Sequence, residues 1–151
     1  MRAVSYVAQI LGGRRGFRIC LAHTLPSPPA EMMEFGDTQD PGKEEWLEGR
    51  LRASRHLWAS AAKRKASVSL EHAYGELRRA GFARGEIEVY FCCPSDRKNA
   101  PKEIVTLARE RGCQTVVVGR RSLSWLREFF QTNPADELVR LGTGLTTWVV
   151  K

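Results

Sequence analysis

The apolar positions of this chain switch several times between helix-like and strand-like spacing. Residues 1–11 set Val4, Val7, Ala8 and Leu11 at helical intervals, and Gly12-Gly13 then stop the helix. Residues 17–25, FRICLAHTL, form a near-continuous apolar run of the kind buried in a parallel sheet. Residues 26–41 are broken by prolines and glycine and read as a loop, with one helical turn over 31–35. From 43 to 80 the sequence is helical throughout. Leu47, Leu51, Ser54, Trp58 and Ala61 mark one stripe, and Ala66, Leu70, Ala73, Leu77 and Ala80 mark another. The stripes are out of phase across 63–65, which predicts a bend or rotation there. Such a helix spans roughly 55 Å, long for a small domain, so part of it is expected to project. Gly81 ends it.

Residues 86–92, EIEVYFC, alternate and then turn apolar, as expected of a strand near a sheet edge. A polar loop over 94–100 leads to Pro101, well placed in the first turn of a helix over 102–111. Residues 115–118 read as a buried strand. A polar loop follows, then a helix over 134–141 and a last strand over Thr146–Val150. Asn133-Pro134 suits a helix start as N-cap and first helical residue. The order α-β-α-β-α-β-α-β predicts a doubly wound α/β domain with a parallel sheet.

At 151 residues, a single domain over 1–151 with a normal core is expected. No run approaches about 18 apolar residues, and the N-terminus MRAVSYVAQILGG carries no signal-peptide pattern. These features predict a soluble, cytoplasmic protein without membrane partners. Cys20, Cys92, Cys93 and Cys113 show neither C-x-x-C spacing nor a paired framework, so reduced thiols are expected, with Cys92-Cys93 structural at a strand end.

The net charge of +7 raises the question of nucleic acid, but basic residues are spread along the chain among acidic ones. The densest cluster, Lys63-Arg64-Lys65, has no interleaved aromatics and reads as a solvated helix face. Any charge-driven association should disappear between low and physiological salt. His23 falls toward the C-terminal rim of the sheet, where ligands bind in such folds, although a satisfied rim histidine is the plainer reading. His56 and His72 are too far apart for metal-ligand spacing. With no nucleophile elbow, Ser-His-Asp order or carboxylate pair, no catalytic or metal-ligating residues are assigned, and a non-enzyme is expected. Trp46 and Trp58 on the long helix, and Trp125, Phe129 and Phe130 after the last loop, are expected to be core or interface residues.

The segment TVVVGRRSLSWLREFFQTNPADELVR, followed by TTWVV, resembles the last strand-loop-helix-strand of the universal stress protein (UspA-type) family. YVAQILGGRRGFRICLAHTLP is similar to that family's first helix and second strand, so the resemblance runs nearly end to end. It implies a three-layer α/β/α fold with a mostly parallel doubly wound sheet, of the adenine-nucleotide alpha-hydrolase-like kind. It also implies ATP as the one cofactor to consider. Members that bind ATP carry G-x2-G-x9-G-[ST] after the fourth strand. Here Gly119 matches the first glycine, Ser122 stands for the second, Thr132 for the third, and Asn133 for the Ser/Thr. The glycines allow positive φ and close approach to phosphate oxygens, which a β-branched threonine opposes. Pro134 further removes one helix N-terminal N–H. Gly119, Arg121, Ser122, Thr132 and Asn133 are thus the candidate anion loop, read as a structural remnant that retains polar contacts; weak ATP hydrolysis stays open.

In the family a first strand, ending in an adenine-contacting aspartate, precedes the first helix and lies between the second and fourth strands. This chain begins inside that helix. The resemblance therefore implies a gap at the sheet centre, to be closed by its neighbours or filled by another chain, or else a start codon placed too late. An exchange of elements in a dimer is a further reading. Thr146, Thr147, Trp148, Val149 and Val150 form a flat edge strand without proline, which asks for a partner; family members commonly pair this edge, so a homodimer through it is expected.

Overall fold

The computed structural model describes residues 2–32, 41–94, 99–119 and 140–150. Helix α1 spans Arg2–Leu11, strand β1 Ile19–Thr24, helix α2 Pro41–Arg79 and strand β2 Ile87–Cys92. Helix α3 follows at Ala100–Glu110, then strands β3 at Thr115–Gly119 and β4 at Thr146–Val150. Short 3-10 turns sit at Ala30–Met32 and Arg84–Glu86. The second of these was not anticipated: a local Ala-Arg-Gly-Glu stretch closes it when Glu86 accepts from the Ala83 amide at 2.7 Å. The expected helix over 134–141 lies mostly outside the described residues, and its last two residues, Arg140 and Leu141, are helical.

All strand pairing is parallel: β1 with β2 from Ile19↔Ile87 to Thr24↔Cys92, and β3 with β4 from Thr115↔Thr146 to Gly119↔Val150. The fold is α/β in layers. Alternate residues of a strand face opposite sides, and β3 demonstrates it. Val117 joins Val7, Leu77, Phe82 and Ile87 in a core shared with α1 and the end of α2. Its neighbour Val118 packs with Ala100 and Val105 of α3 and with Leu141 and Leu145. The sheet layer therefore lies between α1/α2 and α3.

The strands form two two-stranded ladders, and among the described residues none joins β1 to β3. The gap expected at the sheet centre is thus not closed by backbone pairing. Side chains bridge it instead: Ile19 of β1 and Val117 of β3 pack on one core, and α3 touches β1, β2 and β3.

Helix α2 runs without interruption through 63–65. The change of stripe coincides with a change of surroundings. Ala66, Leu70, Ala73 and Leu77 are buried, whereas no described residue from 42 to 65 is. The N-terminal half projects, steadied where the Arg55 side chain donates to the Met32 carbonyl. Trp46 is accordingly not core. It is 59% exposed, with the Arg50 guanidinium 4.7 Å from its ring centre, while Trp58 is half-buried. A helix this long outruns the layer available to cover it.

The ends of α1 and α2 meet at glycines. Gly81 takes φ 101°, the Phe82 amide donates back to the Leu77 carbonyl at 3.2 Å, and the Gly13 amide donates to the Ala80 carbonyl at 2.8 Å. A Cβ on Gly12 would lie 2.3 Å from the Ala8 carbonyl oxygen and 2.8 Å from that of Ala80. The glycines that stop these helices in the sequence also let the two helix ends touch.

Candidate functional site

Parallel strands bring their C-terminal ends to one rim, where open α/β sheets usually bind ligands. At that rim stand Thr24 of β1, Cys92 of β2, Gly119 of β3 and Val150 of β4, with Thr24 paired to Cys92 and Gly119 to Val150. The β1–β2 ladder extends one residue further, the Leu25 amide donating to the Cys92 carbonyl at 2.8 Å.

Gly119 closes β3 and is half-buried. Of the candidate loop it alone can be located; Arg121, Ser122, Thr132 and Asn133 lie outside the described residues, as do Trp125, Phe129, Phe130 and Pro134. His23, beside Phe91 in the ladder, is half-buried, and burial lowers its pKa from the ordinary 6.5. A low pKa keeps the imidazole neutral near pH 7, which suits a rim residue that is packed rather than charged.

A groove of about 470 Å³ opens beside this rim between β2 and α3, lined among others by Phe91, Cys92, Cys93, Lys102, Glu103 and Leu107. Sequence reasoning did not propose it. Its lining residues come from a strand and a helix separated by a loop, and no local spacing reports that. Burial raises the Glu103 carboxyl above its ordinary range and pushes the Cys92 thiol up to about 11, where it is inert at neutral pH. The expectation of two buried thiols at 92–93 is half right: Cys92 is buried and Cys93 exposed, because adjacent residues at a strand end face opposite ways. Among the described residues, no group of three or more His, Cys, Asp or Glu could hold a metal ion. No helix among them is long and apolar enough to cross a membrane.

The β4 residues divide between faces. Trp148 meets the Tyr6 ring of α1 edge to face, with centroids 6.0 Å apart, while Thr146 is exposed and Val149 is 43% exposed. Thr147 and Val150 are half-buried. Within the described residues β4 has one ladder partner, β3, so its other edge is open. Lys63, Arg64 and Lys65 are all exposed on α2, with the Lys63 amine 5.8 Å from the Phe91 ring centre.

No curated protein sequence matches the chain significantly. Among solved structures, the universal stress protein from Archaeoglobus fulgidus, determined in complex with dAMP, superposes with a TM-score of 0.57. That match has 18% identity and covers 99% of this chain and 86% of the other. At that identity the likeness speaks for the fold, which is the adenine-nucleotide alpha-hydrolase-like one. The model of the universal stress protein family matches residues 1–144, nearly the whole chain, and agrees with the order of helices and parallel strands described above. By that match the chain belongs to the universal stress protein family.

Proposed function

We propose that this chain is a non-enzymatic, cytoplasmic stress-response protein that works as a homodimer through protein contacts, with its adenine-nucleotide site degraded. The observation that carries the loss of nucleotide binding is in the loop after β3. Gly119 is kept, but Ser122 and Thr132 replace the second and third glycines of the family's pattern, and Pro134 cannot donate from the helix start. Among the described residues the far edge of β4 is unpaired and free of proline, which supports the dimer, because an unpaired strand edge with exposed apolar side chains favours pairing.

A second reading keeps nucleotide binding through a relaxed loop in which Arg121, Ser122, Thr132 and Asn133 contact phosphate. It is favoured by the dAMP bound to the Archaeoglobus fulgidus protein. Titration calorimetry with ATP–Mg²⁺ and with dAMP separates the two. The first reading expects no heat of binding in the micromolar range. Micromolar affinity that is lost on replacing Arg121 and Ser122 by alanine would establish the second.

A further inference from the structure

The three most exposed large apolar side chains among the described residues all stand on α2: Leu57 at 69%, Trp46 at 59% and Val68 at 58%. Trp46 and Val68 lie eleven residues to either side of Leu57. Eleven residues advance a helix by three turns and about 20°, so the three share one face over roughly 33 Å. Ala53 and Ala61, both exposed, fall on the same face, four residues to either side of Leu57. That face lies opposite Ala66, Leu70, Ala73 and Leu77, the stripe with which α2 joins the core. It is therefore no extension of the core, and aligned large apolar side chains held out to solvent mark a contact surface.

The spacing also identifies the partner. Outward from Leu57 the face has the same sizes in both directions, alanine at four residues and a large apolar side chain at eleven. A second copy of α2 laid antiparallel, with a two-fold axis at Leu57, sets Leu57 on Leu57, Ala53 on Ala61 and Trp46 on Val68. In such an isologous contact residue i meets j and j meets i, so this palindrome of sizes is what it requires. Charge agrees at the ends. Lys43 and Glu71, both exposed, stand fourteen residues to either side of Leu57, and the antiparallel register sets lysine against glutamate. A parallel register would set lysine on lysine and glutamate on glutamate, which like-charge repulsion opposes. One pair is adverse: Arg50 and Arg64, seven residues out and both exposed, face each other. The Arg50 guanidinium is drawn over its own Trp46 ring, 4.7 Å from the ring centre. We propose that two copies of this chain associate through an antiparallel pairing of their α2 helices centred on Leu57. This contact is separate from the β4 edge and goes beyond the dimer made there. The Arg50–Arg64 repulsion, repeated by symmetry, keeps it weak, so it forms in concentrated solution and joins chains already paired through β4.

The test is sedimentation of Val149→Lys, which takes the β4 edge out of play, over a concentration series. A monomer at about 10 µM should become a reversible dimer as the concentration approaches about 1 mM. Leu57→Glu, at an exposed position that the fold does not need, should abolish that dimer. Arg64→Glu turns both adverse pairs into salt bridges with Arg50 and should tighten the association about tenfold. Arg14→Glu, the same change of net charge at an exposed position outside α2, gives the baseline. An Arg64→Glu chain that associates no more tightly than Arg14→Glu would overturn the proposal, as would a dimer that survives Leu57→Glu. A Val149→Lys chain that stays monomeric throughout the series would overturn it too. The same series on the parent chain reads dimer to tetramer, so failure at α2 and failure at β4 leave different species.

Discussion

Substituting alanine at two glycines should move stability in opposite directions. Gly12 has φ outside the left-handed region, so the objection to a side chain there is purely steric. Its Cβ would stand 2.3 Å and 2.8 Å from two carbonyl oxygens, well inside contact distance, and neither backbone atom can rotate away. Relief requires the last turn of α1 to distort away from the Ala8 carbonyl and the α1 and α2 ends to separate, which together strain packing by about 1–3 kcal/mol. It also weakens the Gly13–Ala80 hydrogen bond, worth about 0.5–1.5 kcal/mol. Against this, alanine removes unfolded-state freedom worth about 0.4–1 kcal/mol. The net loss for Gly12→Ala centres on about 2–3 kcal/mol. Gly49, in the projecting half of α2, has nothing within 4 Å of the added Cβ, so Gly49→Ala should gain about 0.5–1 kcal/mol from helix propensity alone. Urea unfolding followed by circular dichroism reads both. With a slope of about 2 kcal/mol/M, the midpoint should fall by about 1–1.5 M for the first variant and rise by about 0.3–0.5 M for the second. If Gly12→Ala leaves the midpoint where it was, the Ala8 and Ala80 carbonyls do not crowd position 12 as described.

Other perturbations test other layers of the structure. Leu77 is 1% exposed at the centre of the α1/α2 core, so Leu77→Ala should cost about 2–5 kcal/mol in the same unfolding assay. His23 has a folded pKa below its unfolded value, so folding disfavours its protonation; stability should fall as pH drops below 6.5 and level off below the folded pKa. His23→Gln should flatten that segment of a stability-versus-pH profile. Glu103 has its pKa raised by burial, so the ionised form is the disfavoured one when folded. Glu103→Gln should be the more stable protein at neutral pH, with the difference closing as acid protonates the carboxyl. Sedimentation should find the parent chain dimeric and Val149→Lys monomeric; a monomeric parent would remove the β4 edge from consideration.

How much of this was legible in the sequence depends on how local each feature is. The last strand, Thr146–Val150, and the starts and stops of α1, α2 and α3 follow from side-chain period and from glycine and proline chemistry. Those signals act within a few residues. The exposure of Trp46 was not legible, because an apolar residue reports a preference for burial and not whether any layer exists to bury it. The candidate loop was legible as a pattern, with Gly119 at the end of β3 as expected.

The seam between β1 and β3 ties these results together. In a continuous parallel sheet, backbone hydrogen bonds hold the central strands and side chains add to them. Here the two ladders meet without such bonds among the described residues, so the junction rests on Ile19 and Val117 on one face and on α3 on the other. Side-chain contacts are individually weaker and more easily rearranged than a ladder. That difference predicts that Val117→Ala, which thins the side-chain contact across the seam, speeds hydrogen exchange in β1 and β3 together.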